Sequence, residues 1–195
     1  MKIALFGGAF DPPHLGHQQV AQEMIEQKVV DEVWYVPVYK HPWEKRYGKS
    51  NMASYEHRKA MLKLIMPKKT QLKEYLDVGF TYPTLVYFSK KHPEHDFSWL
   101  MGSEYLGRFD DFLAGHPKLL DFNFYVYPRE GFELKTSLKG MSLLVDFPEI
   151  AASSTAVKKR LEAGKDVSKL LNESVFEYIN KHALYTSIMY NENRD

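Results

Sequence analysis

The chain has 195 residues, which is enough for one domain and too few for two full ones. Lys and Arg number 26 against 25 Asp and Glu, so a net charge of +1 predicts no global field that would draw the protein to nucleic acid or to an anionic membrane. The chain has no cysteine, which excludes a disulfide scaffold and thiolate zinc sites. No apolar run approaches about 18 residues, and the first one lacks a small-residue cleavage site. We therefore expect a cytoplasmic protein that is neither secreted nor membrane-spanning.

The first forty residues predict a strand, a turn, a helix and a second strand. A compact apolar run broken by Gly7 and Gly8 predicts a buried strand over residues 2–10. Two prolines favour the start of a helix, which is predicted over residues 15–28. The run VWYVPV then predicts another buried strand over residues 33–38. This order is typical of the crossover unit of a parallel sheet.

The rest of the chain continues the alternation of strands and helices. Residues 39–53 are predicted to form a basic loop, and Ser54 is predicted to cap a helix that ends near residue 66. The later strands are predicted at 72–78, 97–101, 122–127 and 141–147, and the later helices at 82–91, 155–163 and 175–182. Trp99 lies in an apolar run and is predicted to be a core residue. The pattern predicts one α/β domain over residues 1–185, a doubly wound parallel sheet with a helical C-terminal end, followed by a polar tail at 186–195.

The strongest chemical signal is the run GGAFDPPHLGH at residues 7–17. Gly7 and Gly8 allow the backbone to approach a ligand, and the helix that follows points unpaired N–H groups at the same place. His14 and His17 are three residues apart, so they share one face of the first helical turn and can donate to phosphoryl oxygens. The alternatives are a plain turn beside two surface histidines, or a zinc site, for which no third ligand is spaced nearby.

The same run resembles the GGxFDPxHxGH signature of the nucleotidylyltransferase superfamily, especially of the bacterial nicotinate mononucleotide adenylyltransferases. The resemblance implies a Rossmann-like sheet that transfers the adenylyl group of ATP to nicotinate mononucleotide, forming deamido-NAD and pyrophosphate. It also implies Mg²⁺ held mainly by the ATP phosphates, with no metal site of the protein's own. His14 and His17 are the implied catalytic residues, and the implied ATP-binding residues of this run are Gly7, Gly8, Ala9 and Phe10. The G-x-G-x-x-G and G-x-x-x-x-G-K-[ST] patterns are absent, which disfavours hydride transfer and P-loop hydrolysis.

A second motif follows the last predicted strand. Ser153, Ser154 and Thr155 stand at a predicted helix start, where plain helix capping is sufficient to explain them. The segment also resembles the ISSTxxR motif of the same family, which implies that these three residues and Lys158 bind ATP. Ala152 and Lys158 depart from the isoleucine and the arginine of that motif. Lysine keeps the positive charge but lacks the bidentate fork of arginine.

The acceptor is expected to bind between the two motifs. The resemblance implies acceptor contacts from Phe80, Thr81, Glu104 and Phe112. The basic loop is interpreted as a lid in which Lys40, Lys45 and Arg46 meet the acceptor phosphate while Trp43 shields a ring. Phe80, Glu104 and Phe112 stand where the family has tyrosine, aspartate and tryptophan. Arg129 resembles an arginine near the adenine site and is the remaining implied ATP-binding residue. A solvated loop is an equally good account of the basic loop. Arg58 resembles an arginine that the family carries on a helix before a Met-Leu pair, and a solvated helix face is an equally good account of it.

Two further functions stay open at this point. The acceptor could instead be nicotinamide mononucleotide, phosphopantetheine or another phosphate monoester, because the acceptor segment departs from the family at several positions. A nucleotide-binding regulatory protein would keep the fold without catalysis, and the intact His14 and His17 argue against it. The expected partners are ATP and a mononucleotide, while the oligomeric state is left open.

Overall fold

The protein is a parallel β-sheet covered by helices on both faces. A computed structural model describes residues 1–40, 52–77, 79–113, 115–136 and 138–185, without the side chains of residues 111 and 112. The strands in these ranges are β1 (Lys2–Gly8), β2 (Glu32–Pro37), β3 (Thr70–Leu72), β4 (Asp96–Gly102), β5 (Asn123–Tyr127) and β6 (Met141–Leu143). They form one sheet in the order β3-β2-β1-β4-β5-β6, and every neighbouring pair is parallel. The predicted doubly wound parallel sheet is confirmed.

The helices alternate with the strands along most of the chain. They are α1 (Leu15–Glu26), α2 (Tyr55–Lys63), α3 (Thr81–Lys91), α4 (Phe109–Leu113), α5 (Ser154–Glu162) and α6 (Glu173–Lys181), with 3-10 segments at Ser103–Arg108 and Pro117–Asp121. Ser54 caps α2 as predicted, because its hydroxyl accepts the His57 N–H at 3.3 Å. Among the helices of the described ranges, none has both the length and the apolar character that crossing a membrane would need.

The sheet separates two apolar layers, and β1 contributes to both. Ala4 and Phe6 pack into the layer that contains residues of α1, α2, α5 and α6. Ile3 and Leu5 pack on the opposite side, in the layer that contains residues of α3 and α4. Trp99 lies in this second layer and is 6% exposed, so its predicted place in the core is confirmed. A strand buried on both faces needs a continuous apolar run, which explains the sequence IALF at the start of the chain.

The strand order reverses beside β1. Its neighbours are β2 and β4. The chain adds β2 and β3 on one side of β1 and then crosses over to add β4, β5 and β6 on the other side. In open α/β sheets a crevice forms at such a reversal, outside the carboxyl ends of the two central strands. Those ends are Gly8 of β1 and Gly102 of β4, so the crevice is expected beside the two turns that follow them.

The two edge strands are shorter than predicted. The predicted strand at 72–78 is wrong in its bounds, because the chain leaves the sheet after the Lys73 N–H donates to the Tyr35 carbonyl at 2.8 Å. The predicted strand at 141–147 ends at Leu143, since the Phe147 N–H turns back to the Leu144 carbonyl at 3.1 Å. An edge strand pairs with a neighbour on one side only. The apolar pattern in the sequence can therefore extend beyond the residues that pair, and a strand predicted from it is too long.

Some predicted segments lie partly or wholly beyond the described residues. The predicted basic loop at 39–53 is described only at its ends, and the predicted tail at 186–195 lies outside the described residues. The predicted strand at 72–78 includes Val78, which also lies outside them. Between β4 and β5 the sequence predicted no structure, whereas the chain there forms α4 between two 3-10 segments.

Candidate active site

The predicted site residues follow the carboxyl ends of the strands. Gly7 and Gly8 end β1, and Ala9, Phe10, His14 and His17 come after it. The predicted residues after the other strands are, in chain order, Lys40 after β2, Phe80 and Thr81 after β3, Glu104 after β4, Arg129 after β5, and Ser153, Ser154, Thr155 and Lys158 after β6. Because all six strands are parallel, their carboxyl ends and the residues directly after them lie at one edge of the sheet. Trp43, Lys45, Arg46 and the side chain of Phe112 lie outside the described residues.

The glycine turn after β1 has a packing requirement that sequence reasoning missed. A Cβ atom on Gly7 would collide with the ring of Trp99, so glycine is needed here to admit a core tryptophan. Packing against Trp99 therefore requires glycine here, and a ligand contact from Gly7 stays a prediction. Phe10 has a positive φ of 49°, which turns the chain from β1 towards α1 while its ring stays buried. Ligand contacts from Gly8, Ala9 and Phe10 stay a prediction.

His14 and His17 form a stacked pair at the start of α1. Their ring centroids are 3.7 Å apart with an interplanar angle of 27°, which confirms the predicted shared face. The His14 N–H donates to Nδ1 of His17 at 3.1 Å, so a neutral His17 carries its proton on Nε2. His14 is only 3% exposed, and the alternative of two ordinary surface histidines is wrong. Within the described part of the chain, its buried Nδ1 has no hydrogen-bond partner.

The pair is held neutral in the free protein. Burial lowers the pKa of His14 to about 3, and the nearby Arg129 charge acts in the same direction. Burial also lowers the pKa of His17, with further contributions from His14 and Arg129. Both imidazoles are therefore uncharged near neutral pH in the free protein.

The low pKa of His14 predicts a loss of stability in mild acid. The folded-state pKa is about 3, and an unfolded histidine titrates near 6.5, so the unfolded chain binds more protons below that pH. From about pH 7 to about pH 5 we expect His14 to lower the free energy of unfolding by about 2 kcal/mol. Urea unfolding of the wild-type protein and of His14→Gln at both pH values measures this. Parallel pH profiles for the two proteins would contradict it.

Asp11 is a site residue that sequence reasoning treated only as part of a turn. Its carboxylate is 3% exposed and accepts three hydrogen bonds. The donors are the Ala53 N–H at 3.0 Å and the Tyr185 hydroxyl at 2.6 Å, both on Oδ1, and the Lys158 ammonium at 2.7 Å on Oδ2. Burial and the neighbouring carboxylate raise the pKa of Tyr185, which therefore stays a donor. Asp11 joins the first motif to α5 and to the end of the described chain.

The second motif contacts the first one directly. Ser153 caps α5 by accepting the Ala156 N–H at 3.1 Å, so the plain capping role is present. Ser154 donates its hydroxyl to the Pro12 carbonyl at 2.9 Å, and Thr155 is exposed at the helix start. Lys158 is half-buried, and its ammonium pairs with Asp11. The two motifs that the sequence singled out are therefore one structural unit.

Glu104 and Arg129 form an ion pair at the ends of β4 and β5. Oε1 of Glu104 lies 3.5 Å from Nε of Arg129, and Nη1 of Arg129 donates to the Ala152 carbonyl at 2.6 Å. Burial raises the pKa of Glu104, while the Arg129 charge acts against that rise. In the described ranges the other carboxylate oxygen of Glu104 is buried without a hydrogen-bond partner.

The segments that carry Lys40, Phe80 and Thr81 meet between the end of β2 and the start of α3. The Gly79 N–H donates to the Lys40 carbonyl at 3.2 Å, which joins the two segments, and the Lys40 side chain is exposed. Phe80 is the N-cap residue of α3 and provides no side-chain cap. Thr81 follows it and is 7% exposed. The first turn of α3 therefore carries backbone N–H groups without a side-chain cap.

Arg58 departs most from its sequence-based interpretation. The solvated helix face is wrong, because Arg58 is 1% exposed. All three of its guanidinium nitrogens donate to backbone carbonyls, those of Ala9, Val38 and Ala53. The sequence signal was a resemblance to a family helix that carries an arginine before a Met-Leu pair, and it could not distinguish a buried arginine from an exposed one.

The described residues offer little to a metal ion. Among them, no group of three or more His, Cys, Asp and Glu side chains is arranged to hold one. Both oxygens of Asp11 already accept hydrogen bonds from protein donors.

A profile of the cytidylyltransferase-like family matches residues 5–160, a span that contains both motifs. The chain belongs to this family. A relative named probable nicotinate-nucleotide adenylyltransferase, from Halalkalibacterium halodurans, is 33% identical over 99% of this chain and 94% of its own length. A relative of the same name from Bacillus cytotoxicus is 34% identical over 95% of this chain and 99% of its own length. This chain is accordingly a nucleotidyltransferase of the nicotinate-nucleotide adenylyltransferase group.

A solved structure has the same fold as this chain. The nicotinic acid mononucleotide adenylyltransferase of Plasmodium falciparum, complexed with NaAD, aligns with a TM-score of 0.79 and 24% sequence identity. The alignment covers 94% of this chain and 97% of that one. The Rossmann-like fold expected for the adenylyltransferase is confirmed over nearly its whole length.

Proposed function

We propose that this enzyme transfers the adenylyl group of ATP to nicotinate mononucleotide, forming deamido-NAD and releasing pyrophosphate in NAD biosynthesis. The observation that carries the proposal is the stacked His14–His17 pair at the start of α1, beside the carboxyl end of β1. A helix start favours a phosphate, because its unpaired N–H groups point at the ligand. The names of relatives that match along almost the whole chain support nicotinate as the acceptor. Since ATP is a substrate, we expect the enzyme to act in the cytoplasm.

The reaction is an in-line displacement at the α-phosphorus of ATP. A phosphate oxygen of the mononucleotide forms the new P–O bond, and the bond from the α-phosphorus to the bridging oxygen of pyrophosphate breaks. The electron pair of the broken bond leaves with pyrophosphate. No covalent enzyme intermediate is needed, so the protein contributes orientation and charge stabilisation.

The histidine pair is suited to the charge that moves in this step. Nε2–H of His17 is available as a donor because Nδ1 is already occupied by the His14 N–H. His14 stacks on His17 at the start of α1, so both imidazoles lie beside the same helix start. Phosphate oxygens beside the pair supply the negative charge that favours protonated imidazole, and binding then opposes the effect of burial on the pKa values.

The second motif is suited to the triphosphate. Thr155 is exposed at the start of α5, and the Lys158 ammonium lies between the buried Asp11 carboxylate and solvent. We assign Ser153, Ser154, Thr155 and Lys158 to ATP binding. Magnesium enters with ATP as part of the substrate and neutralises phosphate charge, and we assign it no ligand from the protein.

The acceptor is assigned to the ends of β2, β3 and β4. The N–H groups in the first turn of α3 and the Thr81 hydroxyl favour an anionic ring substituent, such as the carboxylate of nicotinate. Glu104 follows the end of β4, and we keep it as the proposed partner of a ribose hydroxyl. We keep Lys40, Trp43, Lys45, Arg46, Phe80 and Phe112 as proposed acceptor contacts, and Arg129 as a proposed ATP contact.

The acceptor preference is the direct test of this function. We expect a higher kcat/KM for nicotinate mononucleotide than for nicotinamide mononucleotide, because each hydrogen bond to a charged group contributes about 1.5 to 3 kcal/mol. The margin should be smaller than in a pocket with the family's tyrosine and tryptophan, since Phe80 and Phe112 lack their polar hydrogens. Pyrophosphate release is measured at saturating Mg-ATP with both mononucleotides and with phosphopantetheine. A preference for either of the other acceptors would reject the nicotinate assignment.

A further inference from the structure

Arg58 connects three separate backbone segments through one side chain. Nη1 donates to the Ala9 carbonyl at 2.6 Å, Nη2 to the Val38 carbonyl at 2.8 Å, and Nε to the Ala53 carbonyl at 3.0 Å. The side chain is 1% exposed, and the charge of the nearby Asp11 partly offsets the effect of burial, which lowers the pKa of Arg58. Arginine is the side chain suited to this task, since its planar fork presents several donors in fixed directions.

The three segments are also joined to one another. The Val38 N–H donates to the Gly8 carbonyl at 2.9 Å, and the Ala53 N–H donates to Asp11 at 3.0 Å. Val38 and Ala53 thus each give a carbonyl to Arg58 and an N–H to the turn after β1. The Arg58 guanidinium is the centre of a closed set of hydrogen bonds around that turn.

One of these segments continues to the acceptor side of the site. A Cβ atom on Gly79 would come within 2.7 Å of the Val38 side chain, so the two residues are in close contact. Gly79 also donates its N–H to the Lys40 carbonyl. Phe80 and Thr81 follow Gly79 directly. A path of direct contacts therefore runs from Ala9, in the proposed ATP-binding turn, through Arg58 and Val38 to the proposed acceptor segment.

We propose that Arg58 is a positioning residue that sets the distance between the ATP-binding turn and the acceptor segment. The proposal rests on the proposed function, because it concerns the alignment of two substrates at one site. In-line attack requires the reacting atoms to lie about 3 to 3.5 Å apart, and a displacement of about 1 Å can cost about a hundredfold in rate. Loss of the Arg58 bonds would leave each half of the site able to bind its substrate while misaligning the pair.

The kinetic test uses Arg58→Lys and Arg58→Met, with Lys63→Met as the control. Lys63 is an exposed cation on the same helix. We expect kcat to fall about tenfold in Arg58→Lys and about a hundredfold in Arg58→Met, with both KM values within about threefold of wild type. A fall in thermal stability without a change in kcat, or a rise in one KM alone, would overturn the proposal.

Binding of the dinucleotide product tests, without turnover, whether the ATP-binding turn and the acceptor segment are aligned. Deamido-NAD spans both halves of the site, whereas an ATP analogue and nicotinate mononucleotide each test one half. We expect Arg58→Lys to weaken binding of the dinucleotide about tenfold and binding of each separate ligand by less than about threefold. Equal losses for all three ligands would overturn the positioning role.

Amide hydrogen exchange tests the role of Arg58 independently of the proposed function. The Val38 and Ala53 amides are expected to exchange at least about tenfold faster in Arg58→Lys than in Lys63→Met, while amides of β4 and β5 keep their rates. Unchanged exchange at Val38 and Ala53 would overturn the proposal whatever the acceptor is. If the wild-type protein neither binds deamido-NAD nor releases pyrophosphate, the proposed function fails, and the exchange result still decides the role of Arg58.

Discussion

Replacing His17 by alanine is expected to lower kcat for adenylyl transfer by at least about a hundredfold, because a lost donor to transition-state charge costs roughly 2.7 to 4 kcal/mol. The imidazole stacks on His14 and keeps Nε2–H available as a donor. KM for ATP should change much less than kcat, since the charge that His17 meets is greatest in the transition state. Steady-state pyrophosphate release at varied ATP and acceptor measures both parameters.

The control for this prediction is His17→Gln, together with a second histidine variant. Glutamine keeps a polar side chain in the same position, so a partial recovery of kcat over alanine is expected. His182→Ala removes an exposed imidazole after the end of α6, and it should leave kcat unchanged. Near-normal turnover in a folded His17→Ala protein would remove the catalytic role of His17.

Replacing Lys158 by alanine is expected to raise KM for ATP about tenfold or more and to lower the free energy of unfolding by about 1 to 3 kcal/mol. The two effects have different origins. The ammonium is the proposed triphosphate contact, and it is also the partner of Oδ2 of the buried Asp11. The second effect stays limited because Oδ1 keeps its bonds from Ala53 and Tyr185. ATP titrations and urea unfolding measure the two quantities separately.

Lys158→Arg and Lys159→Ala complete the comparison. Arginine keeps the positive charge and adds a planar fork of donors, so it should retain or improve ATP affinity while KM for the acceptor stays the same. Lys159 is the exposed neighbour on the same helix, and its removal should change neither quantity. Equal ATP affinities for Lys158→Ala, Lys158→Arg and the wild-type protein would exclude Lys158 from ATP binding.

Local spacing was sufficient for the first motif. A glycine turn after an apolar run and two histidines at positions i and i+3 define a strand end, a helix start and a shared face, whatever the rest of the chain does. The structure has β1 ending at Gly8, α1 beginning at Leu15 and the two rings stacked. The cap by Ser54 is local in the same sense, since it bonds the N–H three residues ahead. The short edge strands were predicted less well, because a three-residue pairing leaves too few positions for a pattern.

Contacts between distant parts of the chain could not be read from spacing. Arg58 bonds to Ala9 across a sequence separation of 49 residues, and nothing near it in the sequence indicates that a buried cation will find carbonyl partners. Gly7 is required by Trp99 of a neighbouring strand, a packing constraint that no turn pattern contains.

The sequence by itself determined the fold class, the histidine pair and both motifs, since each depends on residues close together along the chain. Tertiary packing alone determined that the two motifs form one unit. Asp11 meets Lys158 across 147 residues and Tyr185 across 174 residues, and the strand order brings these residues to one edge of the sheet. A carboxylate with 3% exposure is stable only with such partners, because burying an unpaired charge is costly.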